Sequence, residues 1–183
     1  MRVALALLAA VMATTAWTAS AAARGGDYRF DGGTQAQRRQ IAAALDASTF
    51  DWSLVPARVT IHVADDVESG AAPGEIWINA GLLGGGRFAW GLIQHEYAHQ
   101  VDFFLLGAAA RATLASALGA DAWCYEVPGL PHARYGCERF ASSLAWSYWP
   151  SKDNVLRPAA PADEAASLPP ARFRALLTQL LAA

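Results

Sequence analysis

His95-Glu96-Tyr97-Ala98-His99 places two imidazoles four residues apart, with a carboxylate beside the first. On an α-helix, residues i and i+4 share a face one turn apart, so both rings reach toward a single ion. Zinc takes neutral imidazole nitrogens, and a carboxylate next to it serves as general base toward a water that the metal activates. The chain has only four histidines, and two stand here. Gly84-Gly85-Gly86 breaks the chain just before, and after His99 no Gly or Pro follows until Gly107. One long helix is therefore predicted from Phe88 to Leu106. Its apolar residues Trp90, Leu92, Ile93, Val101, Phe103, Phe104 and Leu105 suit the wall of a cleft.

Outward from this helix the pattern is mixed. Thr34 is a plausible N-cap for a helix over Gln35–Leu45, with Ile41, Ala44 and Leu45 as its apolar stripe. Alternating Val59, Ile61 and Val63 describe a half-buried strand within Ala57–Val63, with His62 on the opposite face and given no role. Pro73-Gly74 introduces a second strand, Glu75–Asn79. Helices are expected over Ala108–Leu118, over Glu138–Trp149 with Pro150 as its stop, and over Ala171–Leu181. The Gly-rich segment from Arg24 to Gly33 reads as an extended lead-in, and Ser151 to Pro170, rich in Pro, Ala and acids, as a linker or wrap-around arm. The class is α+β: a short mixed sheet packed on the His helix, with further helices C-terminal. Residues 24–183 make one domain, with 151–170 an arm within it.

Residues 1–23 read as an export signal. Arg2 supplies the positive region, Val3 to Ala13 the apolar region, and small residues follow, with cleavage expected after Ala21 or Ala23. An uncleaved anchor is the alternative, which Thr14, Thr15, Thr18 and Ser20 disfavour. The formal charge of −2 becomes one unit more negative without Arg2. That near-balance argues against nucleic acid or an anionic membrane surface as the main partner. Cys124 and Cys137 are the only cysteines, and an even pair in an exported protein reads as a disulfide.

Two histidines do not complete a catalytic zinc site, which takes three protein ligands and an open position. The candidates for the third are Asp102, His132, Glu138 and Glu126. Asp102 lies on the face of His95, but the helix rises about 10.5 Å between them, so it suits a supporting acceptor that orients a ligand histidine. Glu138 is favoured. It opens an amphipathic segment on which Ala141, Ser142 and Ala145 share its face, small enough for close helix approach, and Cys137 beside it ties that helix start to Cys124.

His-Glu-Tyr-Ala-His followed by Gln-Val-Asp, with a downstream Glu138-Arg-Phe-Ala141, resembles the gluzincin branch of the zincin metallopeptidases. The nearest likeness is to the anthrax-lethal-factor-like catalytic domains, over roughly Glu75 to Trp149. The resemblance implies a zincin-like fold, a Zn²⁺ ion held by His95, His99 and Glu138, Glu96 as catalytic base, and a secreted peptidase acting on a peptide or protein. The second Glu of the family's ligand segment falls on Ser142, so its supporting carboxylate is missing there. The family's oxyanion donor is a Tyr shortly before the third ligand; Tyr135 is preferred over His132, though neither matches the offset. Zincins present an edge strand to an extended substrate, and Glu75–Asn79 is the candidate by position. A non-catalytic extracellular zinc-binding module and a cell-wall amide hydrolase with the same metal chemistry are the alternatives.

Overall fold

A computed structural model describes residues 25–124 and 127–182. The expected export signal with its cleavage points, and the ligand candidate Glu126, lie outside the described residues.

Apolar alternation yields the sheet where it is strong. Strand β2 (Val59–Ala64) buries Val59, Ile61 and Val63, and Ile76 and Ile78 are buried on the strand Glu75–Asn79. Two strands appear where the pattern is weak: β1 (Tyr28–Gly32), within the expected lead-in, and β3 (Gly70–Ala72). With Glu75–Asn79 as β4, the order is β1-β2-β4-β3. Strands β1, β2 and β4 are parallel, and β3 runs antiparallel to β4 with Gly70 opposite Trp77 and Ala72 opposite Glu75. The expected edge strand is thereby corrected: β4 is internal, and β3 holds the edge. Gly70-Ala71-Ala72 carries no β-branched side chain to advertise a strand. It is folded back by the two-residue Pro73-Gly74 turn, where Gly74 adopts φ 79°.

Among the described residues five α-helices complete the mixed α+β fold. Helix α1 (Gln35–Ala47) starts at a capping box: the Thr34 hydroxyl accepts from Gln37 N at 3.3 Å, and Gln37 Oε1 accepts from Thr34 N at 2.7 Å. Helix α2 (Ala89–Leu105) carries the His-Glu motif, followed by α3 (Ala108–Leu118), α4 (Gly136–Tyr148) and α5 (Pro170–Leu181). The expected helices all form, with ends shifted by a residue or two.

The middle residue of the motif explains how α2 is oriented. Tyr97 is fully buried and packs edge-on against Trp52, with ring centroids 5.1 Å apart, and against Tyr28 at 6.4 Å. Ile93, Ala98 and Val101 enter the same core as Ile41, Leu45, Ile61 and Ile76. Each large side chain so buried contributes about 1.5–3 kcal/mol. With that face sealed, His95 and His99 point the other way, toward α4, whose Ala141, Ser142 and Ala145 allow close approach. Gln100 then ties α2 to the sheet edge. Its amide donates to Ala72 O at 2.9 Å and Glu75 O at 3.1 Å, and its oxygen accepts from Gly74 N at 2.8 Å.

The arm wraps back over α4 as expected. Asn154, buried, donates to Ala145 O at 3.2 Å and Trp149 O at 3.0 Å, and accepts from Leu156 N at 2.9 Å. Its amide fits against Gly91 of α2, where any side chain would overlap it. Farther on, a 3-10 turn (Glu164–Ala166) seats Ala165 on the core side of the arm. Among the described residues no helix is long and apolar enough to cross a membrane.

Removing the Asn154 amide takes one hydrogen bond from each of Ala145 O and Trp149 O, leaves Leu156 N without the acceptor it has here, and frees the arm. Asn154→Ala is expected to lower stability by about 1–3 kcal/mol, the cost of buried unsatisfied groups. Chemical denaturation measures it; an unchanged midpoint would contradict this anchoring role.

Candidate metal centre

Helices α2 and α4 bring three side chains to one point. His95 Nε2 lies 3.2 Å from His99 Nε2 and 3.1 Å from Glu138 Oε2, and His99 Nε2 lies 3.5 Å from the same oxygen. Tetrahedral coordination with bonds of about 2.0–2.1 Å puts ligand atoms about 3.3 Å apart. His95, Glu96 and His99 form a buried group able to hold a metal ion, and by these distances Glu138 adjoins it. Cys124, Cys137 and Glu138 also cluster, but the two sulfurs are bonded to each other and offer no thiolate.

Hydrogen bonding places a proton on Nδ1 of His95. The Ser142 hydroxyl donates its one proton to Glu164 Oε2 at 2.6 Å, so at 3.0 Å it accepts from His95 Nδ1–H. A neutral His95 then has a bare Nε2, which faces the Glu138 carboxylate oxygen. Two lone-pair atoms in such contact repel unless a positive charge lies between them. A proton on His95 Nε2 or on His99 Nε2 turns one contact into a hydrogen bond to Glu138; a cation at the centre serves all three corners at once.

His132 is different. Its Nδ1 lies 2.7 Å from Glu164 Oε1 and its Nε2 lies 3.1 Å from Glu138 Oε2. Both neighbours are acceptors, so both ring nitrogens donate. Hydrogen bonds to Glu138 and then Glu164 push its pKa up to about 10, against the opposing effect of burial. An imidazolium has no lone pair for a metal, so the geometry makes His132 a half-exposed cationic donor beside the triangle rather than a fourth corner.

The acids are tuned in opposite directions. Burial opposes ionisation of Glu138, yet the facing imidazoles of His132, His95 and His99 outweigh it and hold this carboxyl far below the usual range. Burial dominates at Glu96 and raises its pKa, with the charges of His95 and His99 opposing. A carboxylate made more basic beside a metal triangle is suited to taking a proton. Burial disfavours charge on His99 as well, but Glu138, Glu96 and Asp102 together raise its pKa.

The remaining expected residues have definite places. Asp102 accepts from Arg111 Nε at 2.7 Å and from Trp123 Nε1 at 3.1 Å, fastening the end of α2 to α3 and to the segment before Cys124. Among the described residues it acts on His99 through its charge, not through a hydrogen bond. Tyr135 is buried, with its hydroxyl donating to Val127 O at 2.8 Å and accepting from Leu130 N at 3.3 Å. It braces the irregular loop and does not line the cleft, where His132 does. The Cys124–Cys137 disulfide forms, with Cα atoms 5.4 Å apart, immediately before Glu138. Gly136 lets the start of α4 lie on the Trp123 ring, which a Cβ would strike.

Sequence reasoning missed Glu164. It lies in the arm, within a segment of mixed Pro, Ala and acids that gives no periodic signal. The metal triangle floors a cleft of about 780 Å³, walled by Gly70 and Ala71 of the edge strand, Trp77, Phe103 and, from the arm, Leu156 and Glu164. No family model, no curated protein and no solved structure matches this chain.

The disulfide fixes the first turn of α4 on which Glu138 stands. Reducing it is expected to weaken metal affinity by roughly tenfold, the lower end of the effect of losing support around a ligand. Titration of oxidised and reduced protein against a chromophoric chelator reads this; equal affinities would mean that the bridge staples only the loop.

Proposed function

We propose that the protein is an exported zinc peptidase of gluzincin type, cleaving peptide bonds in a peptide or protein substrate. The observation that carries this reading is the convergence of His95 Nε2, His99 Nε2 and Glu138 Oε2 with Glu96 alongside. Two imidazoles and a carboxylate make a borderline donor set that suits zinc, and three such ligands leave a coordination position open. When bound, zinc polarises a substrate carbonyl and makes water acidic enough to be a nucleophile near neutral pH.

The chain's own residues supply the rest. Glu96, more basic through burial, takes the proton of the attacking water and later returns it to the leaving amine. His132, positively charged at the cleft wall, is the donor suited to the charge that develops on the carbonyl oxygen. Among the described residues no strand pairs with the outer side of β3, which lies at the cleft, and its backbone can pair with an extended peptide. This edge favours a peptide over a cell-wall amide. Glu96 and the cationic state of His132 count against a closed, purely structural zinc site, which needs four ligands and no base. The Cys124–Cys137 bridge fits export to an oxidising compartment.

Glu96→Gln keeps the shape and removes the base. Turnover of an unfolded protein substrate, followed by mass spectrometry of the products, is expected to fall at least ~10²-fold. Zinc content should stay at the wild-type level. Full activity in the variant, or loss of its zinc, would contradict the role given to Glu96.

A further inference from the structure

Ser142 stands where a supporting carboxylate is expected, yet the His95 side chain does not lack one. The carboxylate arrives from the arm. Glu164 Oε2 accepts from the Ser142 hydroxyl at 2.6 Å, and that hydroxyl in turn accepts from His95 Nδ1 at 3.0 Å. Its other oxygen, Oε1, lies 2.7 Å from His132 Nδ1. One carboxylate thus addresses two of the three imidazoles that face Glu138.

We propose that Glu164 is the positioning carboxylate of the metal centre, acting on His95 through Ser142 and on His132 directly. The inference rests on the metal-centre reading above and deepens it. A hydroxyl alone cannot fix the tautomer of His95, because it donates as readily as it accepts. With Glu164 taking its proton, Ser142 can only accept at Nδ1, and the lone pair of His95 is committed to Nε2. Such outer partners raise ligand basicity and hold ring orientation. The second bond holds the His132 ring turned across the cleft. The first effect needs the arm, because the Ser142 proton goes to Glu164; the second is shared with Glu138 of α4, whose Oε2 lies 3.1 Å from His132 Nε2.

The arm is built to deliver this group. Asn154 anchors its start against α2 and α4, and Arg139 Nε donates to Ser167 Oγ at 3.1 Å just beyond Glu164. Ala165 is buried next to it. The segment 151–170 is on this account part of the metal centre rather than a connector between α4 and α5.

Zinc affinity of the full mature chain, measured by competition with a chromophoric chelator, tests the proposal in Glu164→Gln. This change keeps the size of the side chain and removes its charge and its second acceptor. The expected result is zinc binding weaker by about 10–100-fold, with the melting temperature of the zinc-free protein unchanged. Affinity equal to wild type would overturn it, as would a loss accompanied by an equal loss of zinc-free stability, which marks a mere strap. His99→Ala is the control. If wild type binds zinc and His99→Ala does not, an unaffected Glu164→Gln refutes the role of Glu164 and leaves the metal centre standing. If wild type binds no zinc, the metal-centre reading itself fails.

Discussion

Helix α2 buries Gln94, His95, Glu96, His99, Gln100 and Asp102 along little more than two turns. That burial is the constraint on which the surrounding structure depends, because a buried polar group without a partner costs about as much as several apolar contacts provide. The neighbours of α2 are largely its answers. Gln100 is satisfied by the β3–β4 turn, which holds the sheet edge at the cleft. Gln94 donates to Ala44 O at 2.7 Å and fastens α1. Asp102 draws in Arg111 and Trp123, which orders the approach to the disulfide. The histidines are answered by α4 and, through Ser142, by the arm.

A metal explains the histidine part of this accounting; Gln94 Oε1 is a second group on α2 that hydrogen bonds among the described residues leave open. Once Glu164 and Ser142 assign the proton of His95 to Nδ1, its Nε2 faces a carboxylate oxygen and a second imidazole nitrogen at contact distance. Protonation relieves some of that repulsion and is what these acids promote on His99. A divalent cation relieves all of it, and permits the neutral imidazoles that ligation requires. The same crowding leaves Glu96 as the basic acid of the group and Glu138 as the strongly ionised one.

Much of this was legible in the sequence, for identifiable reasons. The helices and the two interior strands follow from apolar periodicity, and the capping box at Thr34 and the Pro-Gly turn at 73–74 mark their boundaries. His95, Glu96 and His99 are local in sequence, so one helix brings them together. Glu138 was reachable because it opens an amphipathic helix next to a cysteine. What was not legible is long-range or side-chain-poor. Strand β3 is Gly-Ala-Ala and is defined only by its partner; the Pro-Gly turn implied a strand on both sides, and only the second was recognised. Strand β1 hides in a Gly-rich segment and exists by pairing with β2. The turning of Tyr135 into its own loop and of His132 into the cleft depends on how residues 127–135 fold over α4, which no local pattern encodes. Glu164 reaches the site because the arm is held back at Asn154, at Ala165 and at Ser167, contacts made across the fold.

The central claim is that His95, His99 and Glu138 hold one metal ion. Elemental analysis of the purified mature protein, wild type beside His99→Ala and Glu138→Ala, tests it most directly. The account predicts one zinc per chain in wild type, and its loss or severe depletion in both variants after identical dialysis. A wild type that takes up no zinc even after the metal is added back, or a Glu138→Ala variant that retains a full equivalent, would contradict it.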